Sequence, residues 1–96
     1  MINMQVRGDS GDIVARAAAG VRWTSAFADL DPAQFPMLCA LIPYGDAVFN
    51  ERQVPRLLAE LDRLPPACDG EWVDQTRKLC QIVQRGPHHY LWFVGD

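Results

Sequence analysis

Hydrophobic and polar residues alternate from the start of the chain. Ile2, Met4 and Val6 are interleaved with Asn3, Gln5 and Arg7, the two-residue period of a strand with one wet face. Gly8-Asp9-Ser10-Gly11-Asp12 supplies turn chemistry, and Ile13 to Arg16 is expected to return as the second strand of a hairpin. Ala17-Ala18-Ala19-Gly20 fits neither period, and residues 21–35 read as irregular chain or one short helical turn. Asp31-Pro32-Ala33-Gln34 is a local start signal, with an Asp cap and Pro at the first helical position. Pro36 and Pro43 bracket Met37-Leu38-Cys39-Ala40-Leu41-Ile42. Six apolar residues there predict a short strand covered on both faces, with a buried helical turn as the alternative.

Pro43-Tyr44-Gly45-Asp46 is expected as a turn, and Asn50 as a cap with Gln53 three residues on. Val54, Leu57, Leu58, Leu61 and Leu64 then recur at three- and four-residue steps, forming one apolar helical stripe with Arg56, Glu60 and Arg63 off it. Pro55 deep in a helix would remove a backbone hydrogen bond, so the regular helix is expected to begin near Gln53 or Val54 and to end at Pro65-Pro66. A second helix is predicted from about Glu71 to Arg85, capped by Asp69 and stopped by Gly86-Pro87. Trp72, Thr76, Leu79, Cys80 and Val83 share one of its faces. His89 to Val94 has strand composition with apolar or aromatic side chains on both faces, and is expected to be a central strand.

The order hairpin, strand, helix, helix, strand predicts an α+β fold. An antiparallel sheet of three to four strands with two main helices packed on one face satisfies every stripe. Ninety-six residues at 10.8 kDa are expected to form a single compact domain over 1–96, since a second core would have too few residues to bury.

Composition narrows the function classes. Nine Lys+Arg against twelve Asp+Glu leave a net charge of −3, without the basic excess expected of a nucleic-acid binder. The first residues lack the charged start and apolar run of a secretory signal. The longest apolar stretch, Met37 to Pro43, is far short of the roughly 20 residues a membrane helix needs. Cys39, Cys68 and Cys80 are an odd number without a CxxC pair, which favours a reducing interior. The expectation is a cytoplasmic protein with no nucleic-acid and no membrane partner.

Candidate chemistry is sparse. His88 and His89 are neighbours whose side chains point oppositely on a strand, and no Cys or His stands at zinc-like spacing; no metal and no cofactor is expected. Tyr44 and Asp46 on a tight turn are placed to hydrogen-bond a partner; alternatively Asp46 caps the turn's amides and Tyr44 covers the core edge. Asp69, Glu71 and Asp74 crowd the start of the second helix, where they complement its dipole or present an acidic patch to a basic partner. No serine elbow and no glycine-rich phosphate loop exists, so no catalytic residue is assigned. Trp23, Trp72 and Trp92 are core material, one indole being expected to stay partly exposed.

Two stretches carry a resemblance. Pro43-Tyr44-Gly45-Asp46-Ala47-Val48-Phe49-Asn50, with Gln53 and Leu57-Leu58-Ala59-Glu60-Leu61 after it, resembles a segment of small, immunity-protein-like bacterial proteins of unassigned activity. Their chains close with a segment like His89-Tyr90-Leu91-Trp92-Phe93-Val94-Gly95-Asp96. The resemblance covers residues 37–96, with Ala47 where the pattern has Thr or Ser. It implies a protein-binding role, most concretely neutralisation of a cognate toxin, and no catalytic residue. The expected partner contacts are Tyr44, Asp46, Asp69, Glu71 and Asp74. The alternative is a small structural or regulatory subunit that forms a homo-oligomer.

Overall fold

Alternation at the start of the chain builds strand β1 (Ile2–Gly8), which turns at the glycine-rich hairpin into β2 (Ile13–Arg16). In the computed structural model, which describes residues 1–95, these two strands join β3 (Asp46–Phe49) and β4 (His89–Gly95) in one antiparallel sheet of order β2-β1-β4-β3. The helices are α1 (Ser25–Ala28), α2 (Val54–Asp62) and α3 (Glu71–Gln84). The fold is α+β, and β4, last in sequence, lies between β1 and β3 as its two apolar faces predict.

Register decides which side chains meet. Met4 pairs with Phe93 and Val6 with Leu91 across β1 and β4, while Phe93 faces Ala47 and Leu91 faces Phe49 on β3. These inward positions are buried or nearly so and join the helices in one hydrophobic cluster. Phe49 meets Phe93 edge to face at 5.8 Å, the arrangement ring quadrupoles prefer. Trp72 of α3 lies against Phe27 of α1, and its indole N–H donates to the Cys68 carbonyl at 3.0 Å. The Thr76 hydroxyl donates to the Trp72 carbonyl at 2.8 Å, which satisfies a polar group inside the core.

The lead-in to α2 follows its sequence signal. Asn50 Oδ1 accepts from the Arg52 and Gln53 amides, and Gln53 Oε1 accepts from the Asn50 amide at 2.8 Å, a reciprocal capping box. Pro55 falls in the first turn of α2, where its missing N–H costs no helical bond.

Four expectations are corrected. Residues 37–42 form no strand; they hold a 3-10 turn, Leu38–Ala40. Its cause is Glu60, placed off the apolar stripe by the spacing but only 2% exposed. The Glu60 carboxylate accepts from the Met37 amide at 3.1 Å and the Leu38 amide at 3.0 Å, capping the turn from another element. Leu38 and Leu41 then share one buried side, the three-residue period of a 3-10 turn. The third antiparallel partner is instead Asp46–Phe49, so Asp46 opens a strand and does not close the turn that its residue type predicts. Within that strand Ala47 and Phe49 face inward while Val48 is 41% exposed. Finally, Asp69 does not cap α3. Gly70 occupies that position, and the Asp69 carboxylate accepts only from the Gly70 amide at 2.7 Å.

The two segments that carry the resemblance are direct neighbours. Asp46 to Phe49 pair with Val94 to Leu91, and the Gly95 amide donates to the Gly45 carbonyl at 2.8 Å. A methyl group on Gly95 would stand 2.5–2.7 Å from Gly45 and Ile42 backbone atoms, so glycine is required there by close approach of two chains.

Candidate functional site

Helices and loops cover one face of the sheet and leave the other open. Alternation puts Asn3, Gln5 and Arg7 of β1 and Tyr90, Trp92 and Val94 of β4 on that open face. Register arranges them in rows. Arg16, Gln5, Trp92 and Val48 form the middle row, with Ile13, Arg7 and Tyr90 on one side and Asn3, Val94 and Asp46 on the other. The Arg7 guanidinium lies 4.1 Å from the Trp92 ring centroid, and its Nε donates to Gln5 Oε1 at 2.9 Å. This cation–π stack and side-chain bond hold Arg7 flat over the indole. Ile13, Val14 and Val48 are exposed around it. The result is an aromatic centre with arginines and aliphatic side chains at its margins, the composition of protein-binding surfaces.

The five expected contacts are divided by the fold. Tyr44 is 86% exposed and does not cover the core edge. With Met1, Arg22, Trp23 and Pro43 it lines a cleft of about 420 Å³. Asp46 stands at a corner of the open sheet face, exposed, and forms the start of a strand rather than a cap. Asp69, Glu71 and Asp74 lie at the start of α3 in a groove of about 700 Å³, together with Asp62 and Arg77. Arg77 pairs with Asp62 at 2.9 Å, tying α2 to α3. The acidic trio therefore belongs to the helical side and Asp46 to the sheet side.

Neither histidine approaches Asp46. Asp46 pairs with Val94, five positions along β4 from His89, a separation of about 16 Å at strand rise. Asp9, in the hairpin turn, is the carboxylate that meets this end of β4. Its Oδ2 is 2.6 Å from His88 Nδ1, and its Oδ1 accepts from the Tyr90 hydroxyl at 2.8 Å. His88 adopts φ +67°, uncommon for a residue with a side chain. The neutral Tyr90 phenol donates to a carboxylate that would repel the phenolate, and its pKa is raised accordingly, the hydrogen bond to Asp9 being the larger cause. The cluster pins the hairpin turn to the start of β4. Among the described residues no group of three or more His, Cys, Asp or Glu is placed to hold a metal ion.

The three cysteines are unpaired thiols. Burial pushes Cys80 up to about 12 and also raises Cys39 and Cys68, so none has the thiolate character of a nucleophile. Among the described residues no helix is long and apolar enough to cross a membrane.

Sequence reasoning missed Trp92, Tyr90, Arg7 and Arg16 as a group. The signal was the parity of β1 and β4, whose outward sets are Asn3, Gln5, Arg7 and Tyr90, Trp92, Val94; the register that joins them is not local. Compared with protein-family models, curated proteins and solved structures, the chain has no significant match in any of the three.

Proposed function

We propose that this chain is a cytoplasmic protein-binding module of the immunity type, which neutralises a cognate bacterial toxin by covering it. The observation that carries the reading is the open sheet face, where Trp92 stands among Arg7, Tyr90, Arg16 and Val48 with no helix over it. Trp, Tyr and Arg are the residues that dominate binding energy at protein interfaces. The separation of the histidines from Asp46 and the unactivated thiols favour binding over catalysis, and the unpaired cysteines accord with a reducing compartment. Asp46 borders the face at the start of β3, and Tyr44, two residues before it, lines the cleft with Trp23. Glu71 and Asp74 lie on the helical side of the molecule, in the first turn of α3, where they complement its positive end, and Asp69 lies just before it.

The test is co-expression with a toxin encoded beside it. Rescue of growth and co-elution of the two chains are expected, with both weakened by Trp92→Ala through loss of about 2–4 kcal/mol at the interface centre. A chain that neither binds nor rescues removes the reading. The two edge strands β2 and β3, four residues each, leave room for a second reading as a homo-oligomer. Light scattering separates the two, since a stable oligomer indifferent to the neighbouring gene product supports the second.

A further inference from the structure

Trp23 is the outer end of a run of rings that starts in the core. Trp72 of α3 lies 5.9 Å from Phe27, and Phe27 stacks on Trp23 at 6.4 Å with 22° between the planes. The inner two are buried and Trp23 is partly exposed, so Phe27 holds one side of an indole that borders solvent. Tyr44 stands in the same cleft of about 420 Å³, with Arg22, Pro43 and Met1. At 86% exposure it is the most exposed large hydrophobic among the described residues. The indole and phenol hydrogen bonds of the chain belong to Trp72 and Tyr90. Among the described residues the Trp23 N–H, the Tyr44 hydroxyl and the Arg22 guanidinium donate to nothing.

Hydrogen-bonding capacity selects the occupant. The side chains around the cleft offer rings and three free donors, and no carboxylate or amide oxygen. Arg22 also borders the groove that holds Asp69 and Glu71, so its charge selects no anion here. An ordinary extended peptide brings one N–H per residue, and each would need an acceptor that these side chains lack. An α-helix has its carbonyls bonded internally and would leave the three donors unmatched. Proline brings a carbonyl and no N–H, and a proline-rich chain in the polyproline II form makes no internal hydrogen bonds.

We propose that the Trp23–Tyr44 cleft docks a proline-rich segment of a partner protein in the polyproline II conformation. Its proline rings pack against the indole and the phenol, and its carbonyls accept from Trp23, Tyr44 and Arg22. Such a ligand has little freedom to lose on docking, and Phe27 restrains Trp23 in the same sense. The inference goes beyond the sheet-face reading, because none of Arg7, Arg16 and Trp92 lines this cleft. A second copy of the chain fits less well. Its Pro65 has φ −60° and ψ 145°, the polyproline II values, but a 3-10 turn begins at Pro66, short of the three residues that make one polyproline turn.

The experiment uses the full chain with three probes: decaproline, a glycine–serine decapeptide and an alanine-rich helical peptide. Binding is read by backbone amide shifts and indole fluorescence, with light scattering alongside. Saturable binding of decaproline is expected, with shifts at residues 22–24 and 44–45, and none is expected for the other two peptides. Tyr44→Ala, at an exposed side chain, should weaken it about tenfold while circular dichroism stays unchanged. Tyr44→Phe, which keeps the ring and removes one donor, should weaken it about threefold. No saturable binding of decaproline, equal binding of the glycine–serine peptide, tighter binding of the helical peptide, or affinity indifferent to Tyr44→Ala would each overturn the assignment. Self-association that Tyr44→Ala abolishes would also overturn it, in favour of a second copy. A chain that ignores decaproline yet still neutralises a neighbouring toxin would retain the immunity role and lose only this cleft assignment.

Discussion

Glu60 is the residue on which local and distant structure depend together. It belongs to α2, yet its carboxylate terminates the two amides that begin the 37–40 turn. Replacing it by Ala leaves the buried Leu38 amide and the half-buried Met37 amide without a partner, so Glu60→Ala is expected to cost about 2–3 kcal/mol, a large share of a small domain's stability. Urea unfolding measures this, and a loss under about 1 kcal/mol would mean that water replaces the carboxylate. Tyr90 makes a prediction of opposite chemistry. Its pKa is raised in the folded chain by Asp9, so the native state holds the phenolic proton more tightly than the unfolded state does. That stabilisation is fully present below about pH 10 and fades as pH rises through the folded value. In an ultraviolet titration, Asp9→Ala should bring Tyr90 ionisation down toward the ordinary phenol range; an unchanged curve would remove Asp9 as the cause. Cys80, raised to about 12 by burial, should resist an aromatic disulfide reagent until denaturant is added, and rapid labelling in the native state would contradict its placement.

At the scale of elements, β4 organises the molecule because it is bordered by strands on both sides. Its amide and carbonyl groups are shared between β1 and β3, and its inward side chains Leu91 and Phe93 belong to the core cluster that α2 and α3 also line. The pairing of β3 with β4 ends where Gly95 lies against the 42–45 backbone. Gly95→Ala is therefore expected to displace that turn and loosen β3 while leaving the β1–β4 pairing in place. Hydrogen exchange gives the measurement: amides of Asp46 to Phe49 should lose protection and those of Met4 and Val6 should keep theirs. Equal loss in both strands would show that β3 is not a separable edge. α2 and α3 contribute differently, through apolar stripes supplemented by the Glu60 cap, the Trp72 indole bond to Cys68 and the Arg77–Asp62 pair. That pair is exposed and worth under about 1 kcal/mol.

The whole molecule divides into a helical side, where the sheet is buried, and an open side, where it is not. Two aromatic residues one position apart on β4 separate these sides. Phe93→Ala should cost about 3–5 kcal/mol, because it empties the core beside Phe49. Trp92→Ala should cost less, since Trp92 is partly exposed on the open face, beside Arg7, and lies outside the buried core that holds Phe93. Comparable destabilisation by both would mean that the open face is structural and would weaken its reading as a contact surface.

Much of this arrangement is local and was legible in the sequence. The β1–β2 hairpin follows from alternation and turn glycines, α2 and α3 from their three- and four-residue stripes, and the central place of β4 from apolar residues at both parities. Those signals are periodicities within one segment, which physics ties directly to strand or helix. The 37–42 segment was not legible, because six apolar residues between prolines suit a strand or a tight turn equally, and the choice was made by a carboxylate more than twenty positions away. The surface at Trp92 was hidden for the same reason. Its arginines and aromatics lie on three strands, and only the register of those strands sets them side by side, while tertiary packing buries Trp72 and leaves Trp23 and Trp92 partly exposed. Periodicity along one chain specifies elements; the juxtaposition of side chains from separate elements requires long-range pairing, which the tertiary structure alone supplied.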